Sequence, residues 1–317
     1  MPVLTRARIA IAAAALALSA PALAIDNVKM MIPANPGGGW DTTGRELGKA
    51  MIASGAVKNV QYDNKGGAAG AIGLAQFVNS SKGDPNALMM GGMVMVGGLI
   101  QNKSAVKLDQ VTPVARLTSE WEVIVVPANG PKTLKELLDK FKADPGSVSW
   151  GGGSAGGTDH ILAGLVAKAV GVAPGKVNYV PFKGGGEAVS AIIGGHVTAG
   201  VSGLSEFIQH VKTGKMRALA VSSPKAIDGI PSLKEQGVDV ELSNWRGIFA
   251  APGISKAQRD ELVKAVEQGV KSPSWQESLK KQDWTDFWQA GDAYGKFVDD
   301  ENKRLAGILG ELSLGKK

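Results

Sequence analysis

Glycine clusters recur at 37–39, 66–70, 151–157 and 184–186, each set between a short apolar run and an amphipathic segment. Alternation of that kind predicts strands that hand over to helices, hence parallel sheets covered by helices and an α/β fold. In an open α/β sheet the strand-to-helix turns lie at the carboxyl ends of the strands, where ligands sit. A single glycine serves a tight turn. Several glycine-rich turns together let the N–H groups of helix N-termini converge on one anion. The first cluster, in "NPGGGWDTTGRELGKAM", also carries Trp40, which either roofs a pocket or wedges the loop against the sheet.

Strands are expected at "VKMMIP", "VKNVQYDN", "ALMMGG", "WEVIVVP", "SVSW", "VNYVPF", "VTAGVS", "MRALAVSS" and "WRGIFAAP". Helices are expected at 43–54, 70–79, 134–143, 160–170, 188–193 and 205–213. Thr43 and Glu46 form a capping box, which starts the first helix just after the glycines. Tyr294, Phe297, Val298, Leu305, Ile308, Leu309 and Leu312 share one face of a last helix, and Trp275, Trp284 and Trp288 are expected to pack the C-terminal helices. No linker separates two contiguous halves. Two lobes therefore require the chain to cross between them, near "EWEVIVV" and again near "SNWRGIF".

The first 24 residues, "MPVLTRARIAIAAAALALSAPALA", place Arg6 and Arg8 ahead of an apolar stretch that ends in Ala22-Leu23-Ala24, the pattern of a secretory leader cleaved near Ala24. The apolar run is too short to span a hydrocarbon core of about 30 Å. The sequence has no cysteine, which removes both structural disulfides and a lipid-anchored start. A free periplasmic or secreted protein is the expectation. Beyond the leader, 33 basic residues face 29 acidic ones, a mild excess that suits a small anion. No basic block with interleaved aromatics points to nucleic acid.

Two enzyme signatures overlap in "SVSWGGGSAGGTDHILAG". Gly151, Gly153 and Gly156 satisfy the dinucleotide fingerprint, but Gly171 stands about where its acidic residue, roughly 20 positions on, should be. Gly152, Ser154 and Gly156 satisfy the nucleophile elbow of α/β-hydrolases. That mechanism needs a histidine late in the chain, whereas the histidines are His160, His196 and His210, and His160 is too close to Ser154 to assemble a triad on that scaffold. Scattered histidines without cysteines also argue against a metal centre. No cofactor and no catalytic residue are expected.

In order along nearly the whole mature chain, "PANPGGGWD", "YDNKGGAAGAIG", "WGGGSAGGTDHILAG", "VPFKGGGEA", "IIGGHVTAGVSG", "GKMRALAVSS" and "NWRGIFAAPG" resemble the extracytoplasmic solute receptors of tripartite tricarboxylate transporters, the Bug receptors. "NPGGGWD" and "GVSG" look most like the citrate-type branch.

The resemblance implies a two-lobed periplasmic-binding-protein fold of type II, with residues 25–124 and 246–317 in one lobe and 125–245 in the other. It implies a monomer that closes on citrate or a similar tricarboxylate and delivers it to a membrane permease, with a sensor protein as a further partner; the alternatives are a receptor for another di- or monocarboxylate and a secreted hydrolase using Ser154. The implied ligand-binding residues are Asn35, Gly37, Gly38, Gly39, Trp40, Asp41, Ser154, Ala155, Gly156, Gly157, Thr158, Lys183, Gly184, Gly185 and Ser202. Asp41, being acidic, should orient its loop instead of touching a carboxylate. Many relatives carry Asp where this chain has Ser202, which favours a more anionic ligand here, and a Ser or Thr where it has Gly91-Gly92-Met93.

Overall fold

The computed structural model describes residues 25–183 and 185–312. The leader and Gly184 lie outside the described residues. The chain opens with β1 (Ile25–Ile32), α1 (Gly39–Ala53), β2 (Val57–Asn64), α2 (Ala71–Ser80), β3 (Ala87–Gly92) and α3 (Met93–Gln101). β1 lies between β2 and β3, parallel to both. The long strand β4 (Thr112–Pro127) then leaves this lobe. Its residues up to Trp121 pair with a returning strand of the first sheet, while Glu122 onward pair with the second sheet.

The second lobe follows as α4 (Leu134–Ala143), β5 (Ser149–Gly152), α5 (Thr158–Ala169), β6 (Asn178–Pro181), α6 (Gly185–Ile193), β7 (Ala199–Gly203), α7 (Leu204–Lys212) and β8 (Met216–Val221). β5 runs parallel to β6 and β7, whereas β7 and β8 flank β4 antiparallel. The chain returns on β9 (Ser243–Ala250), antiparallel to both β3 and β4. It ends with α8 (Lys256–Val270), α9 (Pro273–Gln282), β10 (Thr285–Ala290) and α10 (Gly291–Leu312). Each sheet is thus mixed where a mostly parallel one was expected, because a strand that carries the chain across and another that brings it back must run in opposite directions.

Local chemistry explains most boundaries. Thr133, Ser255 and Ser272 accept backbone N–H groups at the starts of α4, α8 and α9, and Pro273 occupies the first turn of α9. The capping box expected at Thr43 does not form. α1 begins four residues earlier, at Gly39, and Thr43 Oγ1 donates to Gly39 O inside the helix, 2.8 Å away. Its N-cap residue, Gly38, offers no side-chain cap, so the first N–H groups face the cleft, where that of Gly39 meets Glu206.

α3 shows no helical period, because Met93, Met95, Val96 and Leu99 are buried all round it. Trp288 lies on β10 and Trp284 just ahead of it, not on helices. The polar, exposed start of β10 hides its pairing with β4. The buried face of α10 does follow the expected spacing. No helix among the described residues is long and apolar enough to cross a membrane.

Candidate functional site

Between the lobes lies a cavity of about 90 Å³. The first lobe contributes Pro33, Ala34, Gly38, Gly39 and Trp40 at the start of α1, the turn at Gly67, Ala69 and Gly70, and Val94 of α3. The second contributes Gly153, Ser154, Asp159, Phe182, Lys183, Gly185, Ser202 and Glu206, and the returning chain adds Asn244 and Arg246. Ala68 and Ala69 both hold positive φ in the turn below Trp40, a conformation that costs about 1–2 kcal/mol each for a residue with a side chain. Strain of that kind concentrates where backbone groups are aimed at a ligand.

The three glycines that open the first cluster have three different duties. Gly37 adopts φ +88°, a turn conformation, and its N–H donates to Asp41. Gly38 faces the other lobe, where an added Cβ would sit 3.4 Å from the Gly185 nitrogen. Gly39 makes room for the protein's own charges: a Cβ there would fall on the Arg246 guanidinium and on Glu206 Oε1. Asp41 also accepts from Arg45 Nε at 2.9 Å and Asn64 Nδ2 at 3.0 Å, so it orients the loop from behind the cavity wall. Trp40 both lines the cavity and packs on Gly70.

Of the residues expected at the site, Gly38, Gly39, Trp40, Ser154, Lys183, Gly185 and Ser202 line the cavity. Asn35, Gly37, Asp41, Ala155, Gly156, Gly157 and Thr158 do not. Asn35 instead reaches Glu187 across the cleft, at 3.4 Å. Gly156, at φ +80°, is where the lobes touch: a Cβ on it would lie 2.5 Å from Gln101 Cβ, and one on Gly97 would strike Gly156 O. Its N–H donates to His160 Nδ1 at 3.0 Å. The close approach that its glycine permits is therefore made by α3, not by a ligand.

Sequence reasoning missed the charged wall of the cavity. Arg246, on β9, is buried. Its Nη2 contacts Glu120 of β4, its Nη1 donates to Thr43 Oγ1 at 3.2 Å, and its Nε has no partner. Glu120 also accepts from Ser205 Oγ at 2.7 Å and Trp284 Nε1 at 3.2 Å. Glu206, on the first turn of α7, accepts from Ser202 Oγ at 2.9 Å and lies 3.9 Å from Arg246 Nη2. The Ser202 hydroxyl is thus already engaged, and the carboxyl at this wall belongs to Glu206.

Burial, and after it the charge of Asp159, pushes Glu206 up to about 7, although Ser202 and the Gly39 N–H pull it down. Burial raises Asp159 to about 6 against the Gly153 N–H that it accepts, and holds Glu122 beneath it well above the usual carboxyl range. Arg246 is drawn down to about 9 by burial and stays charged at neutral pH. Two signals for this wall were present in the sequence, namely Glu122 inside "WEVIVVP" and Arg246 inside "WRGIFAAP". A charge within an otherwise apolar strand must find a partner when buried.

Two α/β lobes joined by crossing strands, with a cavity between them, define the fold of the periplasmic binding proteins. Residues 49–314 match the tripartite tricarboxylate transporter family receptor (TctC), and the chain belongs to this family. It is similar to the UPF0065 protein in the gbd 5' region of Cupriavidus necator, 28% identical over 99% of this chain and 98% of that one. It is also similar to protein BugT of Bordetella pertussis, 27% identical over 96% and 94%. Among solved structures the periplasmic binding protein BugD aligns with a TM-score of 0.80 at 23% identity, covering 91% of this chain and 98% of its own. The malate-bound MatC of Rhodopseudomonas palustris aligns with a TM-score of 0.80 at 21% identity, covering 90% and 99%.

Proposed function

We propose that this protein is a periplasmic receptor that closes on a small carboxylate and delivers it, as a monomer, to the permease of a tripartite tricarboxylate transporter or to a sensor. The observation that carries this reading is the uncapped start of α1, which meets Gly185 at the start of α6 and Lys183 across one interlobe cavity. Helix N-termini with free N–H groups and partial positive charge hold a carboxylate without any catalytic side chain. The hinge is assigned to β4 and β9, with 25–124 and 246–317 moving against 125–245, and the leader 1–24 is removed on export.

The cavity holds on the order of half a dozen waters, the scale of a short dicarboxylate. Glu206 and Asp159 line it, so a trianion such as citrate meets more repulsion than a dianion does, and dicarboxylates move ahead of citrate. Structural neighbours bind malate and adipate, which supports the same class. The test is calorimetry of the mature protein against citrate, tricarballylate, succinate, malate, glutarate, adipate, aspartate and glutamate. Binding of one or more supports the receptor reading, and silence across the panel overturns it. The competing reading is a hydrolase using Ser154, which lines the cavity. An esterase rate that vanishes in Ser154→Ala would favour that reading.

A further inference from the structure

We propose that Glu206 selects a carboxylate that also carries a cationic nitrogen, an amino acid or ammonio acid, with Asp159 and Asn244 Oδ1 completing the seat for that nitrogen. This rests on the reading of the cavity as a carboxylate site and narrows it.

The cavity wall formed by α7, the start of α5 and β9 is rich in acceptors. Glu206, Asp159 and Asn244 line it, and the buried Oδ1 of Asn244 has no hydrogen-bond partner. Both carboxyls already accept on one side, Glu206 from Ser202 and Asp159 from Gly153, and present themselves to the cavity as acceptors. An unpartnered buried amide oxygen beside them calls for a donor. An ammonium offers three N–H donors and one positive charge.

The charge pattern points the same way. Arg246 contacts Glu120, so that pair is internally compensated. Glu206 reaches the same guanidinium only at 3.9 Å, so one cation stands against two carboxyls, and no ion pair among the described residues includes Asp159. Lys183 stands exposed at the rim, and among the described residues no group of three His, Asp or Glu is placed to hold a metal ion. A cation carried by the ligand balances the negative charge that remains. Its carboxylate has separate donors, the N–H groups of α1 that follow Gly39 and the unpartnered Nε of Arg246, which lines the same cavity. Donors on one side and acceptors on the other complement a zwitterion.

The test compares matched pairs that differ by one amino group, aspartate with succinate and glutamate with glutarate, by calorimetry of the mature wild-type protein. In at least one pair the amino member should bind at least about ten-fold more tightly, the scale of one charge contact in a partly closed cleft. In Glu206→Gln that ratio should fall towards one, chiefly because the amino member weakens. The proposal is overturned if succinate and glutarate bind as tightly as their amino partners, or if Glu206→Gln leaves the ratio unchanged. It is also overturned if the plain diacids bind best with proton uptake, seen as a dependence of the heat on buffer ionisation, since Glu206 would then meet an anion in its neutral form. The wild-type comparison decides even if the variant does not fold. If plain diacids bind but amino acids do not, only the present proposal falls. Silence from both members of every pair, and from the wider carboxylate panel, removes the receptor reading with it.

Discussion

At Gly39 a single hydrogen in place of a methyl group decides whether Arg246 and Glu206 can occupy their positions. Gly39→Ala should cost about 1–3 kcal/mol of stability through overpacking, and should displace the two charged groups at the cavity. Thermal melts and calorimetry of this variant should show both losses, whereas Gly37→Ala, with nothing within 4 Å of the added methyl, should show only the backbone cost.

The buried acids predict an unusual pH response. Glu206 binds its proton more tightly folded, at about 7 against an ordinary 4.5, so its contribution to stability is complete below 4.5 and is lost as pH rises through about 7. Asp159 behaves likewise between 3.8 and about 6. Burial moves His160 the other way, from 6.5 to about 4, so its contribution is present above 6.5 and lost as pH falls towards 4. The melting temperature of the ligand-free protein should therefore rise as pH is lowered from about 7 to about 6, with the raised Glu122 and Asp159 acting in the same direction, and Glu206→Gln should reduce that rise. A wild-type melting temperature that falls over this interval would contradict the assignment.

Among the elements, α3 brings its glycine face against the loop between β5 and α5, and this is where one lobe rests on the other. Gly97→Ala places a methyl against Gly156 O and should hold the lobes apart. Ligand affinity should drop although Gly97 is not among the residues lining the cavity. Small-angle scattering should show less contraction on adding ligand than in wild type, and full contraction would mean that α3 does not limit closure. α10 makes a second bridge, with Lys168 of α5 and Glu311 of α10 paired at 2.9 Å. Both carry exposed side chains, so that pair contributes little by itself. α3 escaped the sequence reading because a helix buried on every side has no polar face to reveal its period. The start of α1 was misplaced because Thr43, which looks like a cap, is bonded within the helix and to Arg246.

Over the whole molecule, the two lobes share one buried cluster: Phe141, Trp150 and Ile161 of the second lobe lie in the same core as Val28, Met30 and Phe249 of the first. Continuity of that kind predicts a single cooperative unfolding transition. A ligand present at about 100 times its dissociation constant should add about 2.7 kcal/mol to stability. Scanning calorimetry would separate this from two lobes that melt independently, which would appear as two transitions with only one raised by ligand.

By itself the sequence determined most of the strands and helices in their order, α3 and β10 excepted, and the glycine-rich turns at the strand ends, because these follow from local periods and backbone preferences. It also carried the family, through motifs kept in order along the chain. Only the tertiary structure decided what the glycines face. Gly39 and Gly203 make space for Arg246, Glu206 and Glu120, and Gly156 makes space for α3. Which carboxyls reach the cavity was likewise decided there. Glu120, Glu206 and Arg246 lie far apart in sequence, and they meet through the register of β4 against β9, Glu120 opposite Asn244, and through the angle at which α7 leaves β7. A pairing of that kind depends on how two lobes stack, and no local pattern of residues encodes it.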